Sequence, residues 1–403
     1  MELFIELLIA IVFGISIGTI TGIIPGIHIN LVVTLLIGFS ASLLHYITPI
    51  VLCIFIIALA ITHIFLDFIP SIFLGAPEES TTLSVLPGHR YILAGNGLMA
   101  VKLALIGSFF GLFGASILMY PLIKFIALLY PIIKNYMLFF LLFIIGSMII
   151  QNTRKVWAII VFILAGIAGF LVFNIPNVRE PLFPLLTGLF GTATLLISLN
   201  EKNIIPQQWD TETIAIERKV IWKALISGQC SAVFVSLFPG VSPAIAAIFG
   251  MQLTKNIGDH GYMMLQGCIN SAGFLLSIGT VYAIQKARNG AVVGIQQLLG
   301  IITLQEVFLF ALASLITAAL AVPLTLFFAR IFCTIINKVN YKKLVIAILC
   351  FIVLLTIIIS SWIGILILIT TTAIGMIPGI VKVTRTQAMG CLLLPTIVYY
   401  ILT

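Results

Sequence analysis

Between Thr62 and Gly97 the chain reads THIFLDFIPSIFLGAPEESTTLSVLPGHRYILAGNG, a stretch that holds Asp67, Glu78, Glu79, His89 and Arg90. The flanking runs are apolar and long enough to cross a bilayer. An ionisable group near the bilayer centre costs about 2.5–3.5 kcal/mol on insertion scales, so such groups face protein or a watery cavity. Two adjacent carboxylates hold a proton more readily than one alone, which suits Glu78 and Glu79 to proton carriage. With the hydroxyls of Ser80 and Thr81 and nearby carbonyls they would equally suit Na⁺. These four residues are the expected coupling-ion site; the competing reading makes the glutamates interfacial charges. Pro70, Pro77, Pro87 and several glycines interrupt helices here, and broken backbone at membrane depth is tolerated only where protein or a cavity covers it. Two readings stay open: a helical hairpin dipping into the membrane with its tip near Gly75–Thr82, or a surface loop between two helices.

A second kind of chemistry belongs to the backbone. The first apolar helix stops at Pro25-Gly26, and the next begins with free N–H groups whose partial positive charge suits an anion. The run Pro239-Gly240-Val241-Ser242-Pro243 does the same later in the chain. The expected substrate set is therefore the amides of Gly26, Ile27, Gly240 and Val241, with side-chain hydrogen bonds from Asn30, Ser242 and Asn270. Helix-end amides and neutral donors can hold a carboxylate without burying a full counter-charge. Pro-Gly also makes ordinary tight turns between helices. His89 and Arg90, with Lys286 and Arg288, would attract the anion, or else anchor the chain at the interface.

These residues must be carried by membrane-spanning helices. Of 403 residues, 62% are hydrophobic and 8% charged, against roughly 25% charged in soluble domains. Apolar runs of about 20 residues recur, the helical signature, and the short alternating segments of a β-barrel do not. The run from Leu3 lacks a basic leader and reads as a retained first helix. A net charge of +8, spread over short loops, fits cytoplasmic retention of Lys and Arg. It forms no basic stripe for nucleic acid. The six cysteines and five histidines are dispersed, so neither a disulfide framework nor a metal site is expected.

The two halves echo each other. Gly22–Ile27 resembles Ser236–Val241, Asn135-Tyr136 resembles Asn340-Tyr341, and Trp157 resembles Trp362 at the same offset. Paired, interrupted hydrophobic segments point to a secondary transporter with its site where the breaks meet. The expected architecture is an all-α polytopic membrane protein. Its segments form two pseudo-symmetric, inverted repeats with re-entrant helical hairpins: residues 1–200, a polar connector 201–219, and 220–403. The polar stretches Gly75–Gly97 and Gly258–Gly290 are read as corresponding helix breaks.

With Gly22–Ile27, Gly75–Gly88, Gly95, Gly97, Pro239-Gly240 and Asn270–Thr280 in this order, the chain resembles the TctA-like large permease subunit of tripartite tricarboxylate transporters. It looks like a short, stand-alone branch, more acidic at Glu78-Glu79 than the hydroxyl-rich segment usual there. The resemblance implies about 10–12 transmembrane segments and a cytoplasmic-membrane permease taking up a small organic anion, a di- or tricarboxylate, coupled to H⁺ or Na⁺. It implies a solute-binding protein and a small membrane subunit as partners besides the lipid bilayer, and no cofactor or metal. The rival from another class is a translocase for a polyprenyl-phosphate-like lipid carrier, which would use the same breaks and His89/Arg90. An enzyme is disfavoured because HExxH and paired-aspartate motifs are missing.

Overall fold

The computed structural model describes residues 2–25, 29–77, 80–176, 178, 180–200, 206–209, 216–237, 242–254, 257–287, 289–338 and 341–402. Among these the elements are helices, with no β-strand. The first half contains α1 (Glu2–Ile23), α2 (Ile29–Gly38), α3 (Ser40–Leu43), α4 (Pro49–Leu66), α5 (Val85–Leu93), α6 (Gly97–Ile117), α7 (Met119–Ile133), α8 (Met137–Ile150), α9 (Lys155–Asn174), α10 (Leu182–Leu186) and α11 (Ala193–Asn200). The second contains α12 (Arg218–Leu237), α13 (Pro243–Thr254), α14 (Gly258–Ile284), α15 (Gly290–Leu299), α16 (Leu304–Lys338), α17 (Tyr341–Val381) and α18 (Gly390–Leu402). Among the described residues, eight helices are long and apolar enough to span a bilayer, and shorter apolar helices lie between them. Phe4, Phe13, Leu128, Phe143, Trp222 and Trp362 stand on the outside, the surface a bilayer would cover. This is a multi-pass membrane protein.

Small residues set the helix pairs. In hydrocarbon there is no hydrophobic drive between helices, so close backbone approach has to supply the attraction. Gly14, Gly18 and Gly22 recur every fourth residue on one face of α1 and press on α4. A Cβ on them would sit 2.6 Å from Ala58 Cβ, 2.6 Å from the Leu59 carbonyl and 2.8 Å from Leu66 Cβ, respectively. The α6–α14 pair is closer still: Gly107 lies on the Met264 carbonyl, Gly267 on the Ala104 carbonyl, and Ser271 Oγ donates to the Ser108 carbonyl at 2.6 Å. Several helix pairs recur across the two halves. α1 packs on α4 as α12 packs on α14. α4 meets α16 as α14 meets α6, and α9 meets α18 as α17 meets α10 and α11.

Proline and left-handed residues interrupt the spans. Pro70 has no N–H to continue the α-helical ladder. The chain widens there into a π turn, Pro70–Leu74, closed by Gly75 at φ 61°. A 3₁₀ turn, Thr82–Ser84, then leads into α5. Thr81, Thr82 and Ser84 are buried, so the surface-loop reading of this stretch does not hold. A second π turn, Thr187–Thr192, joins α10 to α11, and its Gly191 lies against the Gly75 carbonyl. α17 breaks at Ser361 (φ 63°). The Cβ position of Gly364 is 3.0 Å from Thr356 Cγ2, whereas residues eight apart on a straight helix are about 12 Å apart. The chain therefore doubles back at Ser361.

One expectation is corrected. Gly258–Gly290 is not a broken counterpart of Gly75–Gly97. Gly258–Ile284 is one continuous, largely buried helix, and the break comes only after it, at Gln285 (φ 54°). Its glycines serve contact: Gly261 receives Ile257 and Val220, and Gly267 receives α6. The polar connector lies mostly outside the described residues. Within its described part, Gln208 folds back on the α5–α6 turn, accepting from Gly97 N–H (2.9 Å) and donating to the Ile92 carbonyl (2.8 Å), while Trp209 N–H donates to the Gly95 carbonyl (2.8 Å).

Candidate functional site

A polar seam crosses the interior where the α4 span breaks. Asp67, at the end of α4, is 2% exposed. Its Oδ2 accepts from Ser80 Oγ at 3.0 Å. Ser71, one turn after Asp67, donates to the Thr81 carbonyl at 3.2 Å and so ties the far side of the break to the near side. The Ser80 carbonyl accepts from Gln266 Nε2 on α14. Gln266 also donates to Asn270 Oδ1 (3.1 Å), and its own Oε1 accepts from Tyr262 OH (3.1 Å). These bonds fix the amide orientations. Asn270 Nδ2 is then left buried with no acceptor among the described residues. An unmet buried donor costs about 1–3 kcal/mol, and a carboxylate oxygen is the kind of group that would satisfy it.

At the Tyr262 end the seam meets a cavity of about 780 Å³. Both halves line it: Thr82, His89 and Arg90 from the broken stretch and α5; Phe190 and Thr194 from the second π turn and α11; Met251, Asp259 and Tyr262 from α13 and α14; and Lys382, Thr384 and Arg385 beyond α17. Three fixed cations, Arg90, Lys382 and Arg385, and the imidazole of His89 face one described carboxylate, Asp259. Arg90 is joined to Asp259 at 2.5 Å in a half-exposed ion pair. Arg385 is tucked under the second π turn, where its guanidinium donates to Thr194 Oγ1 and, at 3.5 Å, to the Phe190 carbonyl. Burial lowers its pKa, yet a guanidinium stays charged in proteins. Lys382 holds φ 53°, a left-handed backbone that a non-glycine residue rarely adopts.

The sequence-predicted residues are placed unevenly. Ser80, Thr81 and Asn270 meet in the seam, and His89 and Arg90 line the cavity beside it. Ser242 is buried and caps α13, its Oγ accepting from Ile245 N–H at 3.3 Å. Asn30 lies in the first turn of α2. Gly26, Ile27, Gly240, Val241, Glu78, Glu79 and Arg288 lie outside the described residues. Lys286 does not line the cavity; its Nζ sits 5.5 Å from the centre of the Tyr130 ring. Gln266, Lys382 and Arg385 were not singled out from sequence, and Asp67 was noted there as an ionisable group without an assigned role. A carboxylate inside an apolar run was signal enough for Asp67, whereas Arg385 follows an unremarkable helix end and only the fold brings it to α11.

A curated relative, an uncharacterized protein of Methanocaldococcus jannaschii, is 30% identical over 366 residues, covering 86% of this chain and 88% of its own length. No solved structure matches. Residues 8–390 match the family described as tripartite tricarboxylate transporter TctA. With nearly the whole helical core inside that match, the chain belongs to the TctA family of tripartite tricarboxylate transporters.

Proposed function

We propose that the protein is a secondary active permease of the cell membrane that moves a small organic anion, a di- or tricarboxylate, with H⁺ or Na⁺. The cavity carries this reading: cations supplied by both halves surround a space of about 780 Å³ that adjoins the seam ending at the unfilled Asn270 donor. A cavity of one sign with low-dielectric walls concentrates counter-ions. The anion would gather at Arg385, Lys382, His89 and Arg90, then reach Asn270, with the amides of Gly26, Ile27, Gly240 and Val241 and the side chains of Asn30 and Ser242 completing its shell. Glu78, Glu79, Ser80 and Thr81 would bind the coupling ion. The recurring helix pairs would fit two inverted repeats, 1–200 and 220–403, with 201–219 between them. A solute-binding protein would deliver the anion, and a small membrane subunit would complete the assembly.

The test is uptake of labelled di- and tricarboxylates by reconstituted liposomes under imposed proton or sodium gradients. Uptake is expected for the wild type. Arg385→Gln should raise KM at least about tenfold, the loss of one charge-assisted contact of about 1.5–3 kcal/mol. No uptake of any carboxylate under either gradient would sink the proposal.

A further inference from the structure

The coupling-ion site proposed at Glu78, Glu79, Ser80 and Thr81 is extended here to Asp67, and the inference rests on the proposed permease activity. We propose that the Asp67 carboxylate carries the coupling cation, and that Ser80 and Gln266 relay its loading to Asn270. Asp67 is 2% exposed within Pro49–Leu74, one of the most apolar spans of the chain. A carboxylate kept at such a place is costly unless it is compensated, and such residues mark ion and proton pathways. The oxygens around it are of the kind that hold a monovalent cation. Ser80 Oγ is 3.0 Å from Oδ2, and Ser71 Oγ and the Thr81 carbonyl meet at 3.2 Å one turn further on. Other titratable groups near the seam are His63, one turn earlier on α4 with its Nδ1 3.0 Å from Thr21 Oγ1, and Tyr262 on α14. Glu78 and Glu79 precede Ser80 in the chain.

The second, independent observation lies at the other end of the network. The Ser80 carbonyl is held by Gln266, Gln266 donates to Asn270 Oδ1, and Asn270 Nδ2 is buried without an acceptor. Through the hydroxyl and the carbonyl of Ser80, hydrogen bonds thus link the carboxylate of the first-half break to an amide suited to an anionic solute on a second-half helix. Loading by a proton forms one O–H bond on Asp67 and moves no electrons. The new O–H then donates, and the Ser80 hydroxyl, a donor to the ionised carboxylate, becomes its acceptor. Loading by Na⁺ instead places the ion against Oδ2 and the Ser80 hydroxyl oxygen, which also turns the hydroxyl proton away. Either event resets the residue whose carbonyl positions Gln266 and Asn270. The cation and the solute are thereby coupled with no further moving part.

Two measurements test this. The first compares gradient-driven accumulation of a labelled carboxylate with its counterflow, the exchange that needs no gradient, in liposomes. Asp67→Asn should retain counterflow while accumulation falls at least about tenfold, the scale of a site-to-site coupling. Asp67→Glu should restore part of it with a shifted Na⁺ or pH dependence. A sodium gradient at constant pH and a pH gradient without sodium tell the two cations apart. Accumulation by Asp67→Asn at the wild-type level overturns the inference, as does joint loss of counterflow and accumulation in both Asp67→Asn and Asp67→Glu. The second measurement needs no solute: the rise in Tm of detergent-solubilised protein on adding Na⁺, or its change with pH, should shrink in Asp67→Asn relative to wild type. An unchanged response overturns the inference whatever the protein carries, whereas a lost response beside a wild type that moves no carboxylate removes the permease reading alone.

Discussion

At the scale of single residues, the seam and the cavity differ in what a charge or a hydrogen bond is worth. Asn270 is buried and its Oδ1 already accepts from Gln266, so only its Nδ2 is available to a solute. Asn270→Leu removes that donor, and Asn270→Asp keeps the size and the acceptor for Gln266 while replacing the donor with a charge that repels an anion. Both should lower carboxylate affinity about 10–100-fold, measured as KM or equilibrium binding, because a hydrogen bond to a charged group is worth about 1.5–3 kcal/mol. If shape alone mattered, Asn270→Asp would behave as wild type. The Arg90–Asp259 pair sits where water reaches it, 53% and 38% exposed. Pairs of that kind contribute about 0–1 kcal/mol. Asp259→Asn should therefore leave Tm nearly unchanged while freeing Arg90 for the anion, so that KM falls. A rise in KM would show instead that Asp259 orients Arg90 for the solute.

At the scale of elements, glycine does two opposite jobs, and only the fold separates them. Gly107 lies on the Met264 carbonyl, so an added Cβ meets backbone that cannot swing aside. Gly107→Ala should force α6 from α14 and cost about 1–3 kcal/mol or more of stability, read as Tm in detergent. Gly146 on α8 has nothing within 4 Å of its would-be Cβ, and Gly146→Ala should be neutral or slightly stabilising, since alanine favours the helix by about 0.8–1 kcal/mol. The spacing of Gly107, Gly111 and Gly114 fits packing, because small residues recurring on one face of a long apolar run let helices approach closely. The apolar runs announced the spans, and Pro70 with Gly75 announced the break. Gly258–Gly273 looked alike in composition yet is continuous helix, because Gly261, Gly267 and Gly273 answer to contacts on α6 and α12 that sequence proximity does not reveal. The Gln208 cap on the Gly95–Gly97 turn was equally hidden: its partners lie more than 100 residues earlier. So were Arg385 and Thr194, distant in the chain and neighbours in the cavity. Local patterns encode what an element is; which distant polar group meets which depends on how the helices cross.

At the scale of the whole molecule, the cavity should behave as a positively charged aqueous space set within a lipid-covered surface. Its walls come from both halves, and its fixed charges are Arg90, Lys382 and Arg385 against Asp259. Thiol labelling reads this directly. Cys230 and Cys350 are the exposed native thiols, while Cys53, Cys268, Cys333 and Cys391 are buried, so a Cys230→Ser/Cys350→Ser background supplies a quiet baseline. Met251 lines the cavity and is 42% exposed; Leu312 is 56% exposed on an apolar outer face of α16. A charged, water-soluble reagent should modify Met251→Cys and spare Leu312→Cys, because hydrocarbon rejects a charge by several kcal/mol. Field focusing adds a sharper expectation: an anionic sulfonate reagent should outpace a cationic ammonium reagent of equal size at Met251→Cys, and the gap should narrow as salt shortens the Debye length from about 10 Å at 0.1 M toward about 3 Å at 1 M. A carboxylate that enters the cavity should slow both reagents. Equal rates for the two charges at low salt would mean that Arg385 and Lys382 do not set the potential at Met251, and the cavity would then lose its claim to gather anions even if its shape were right.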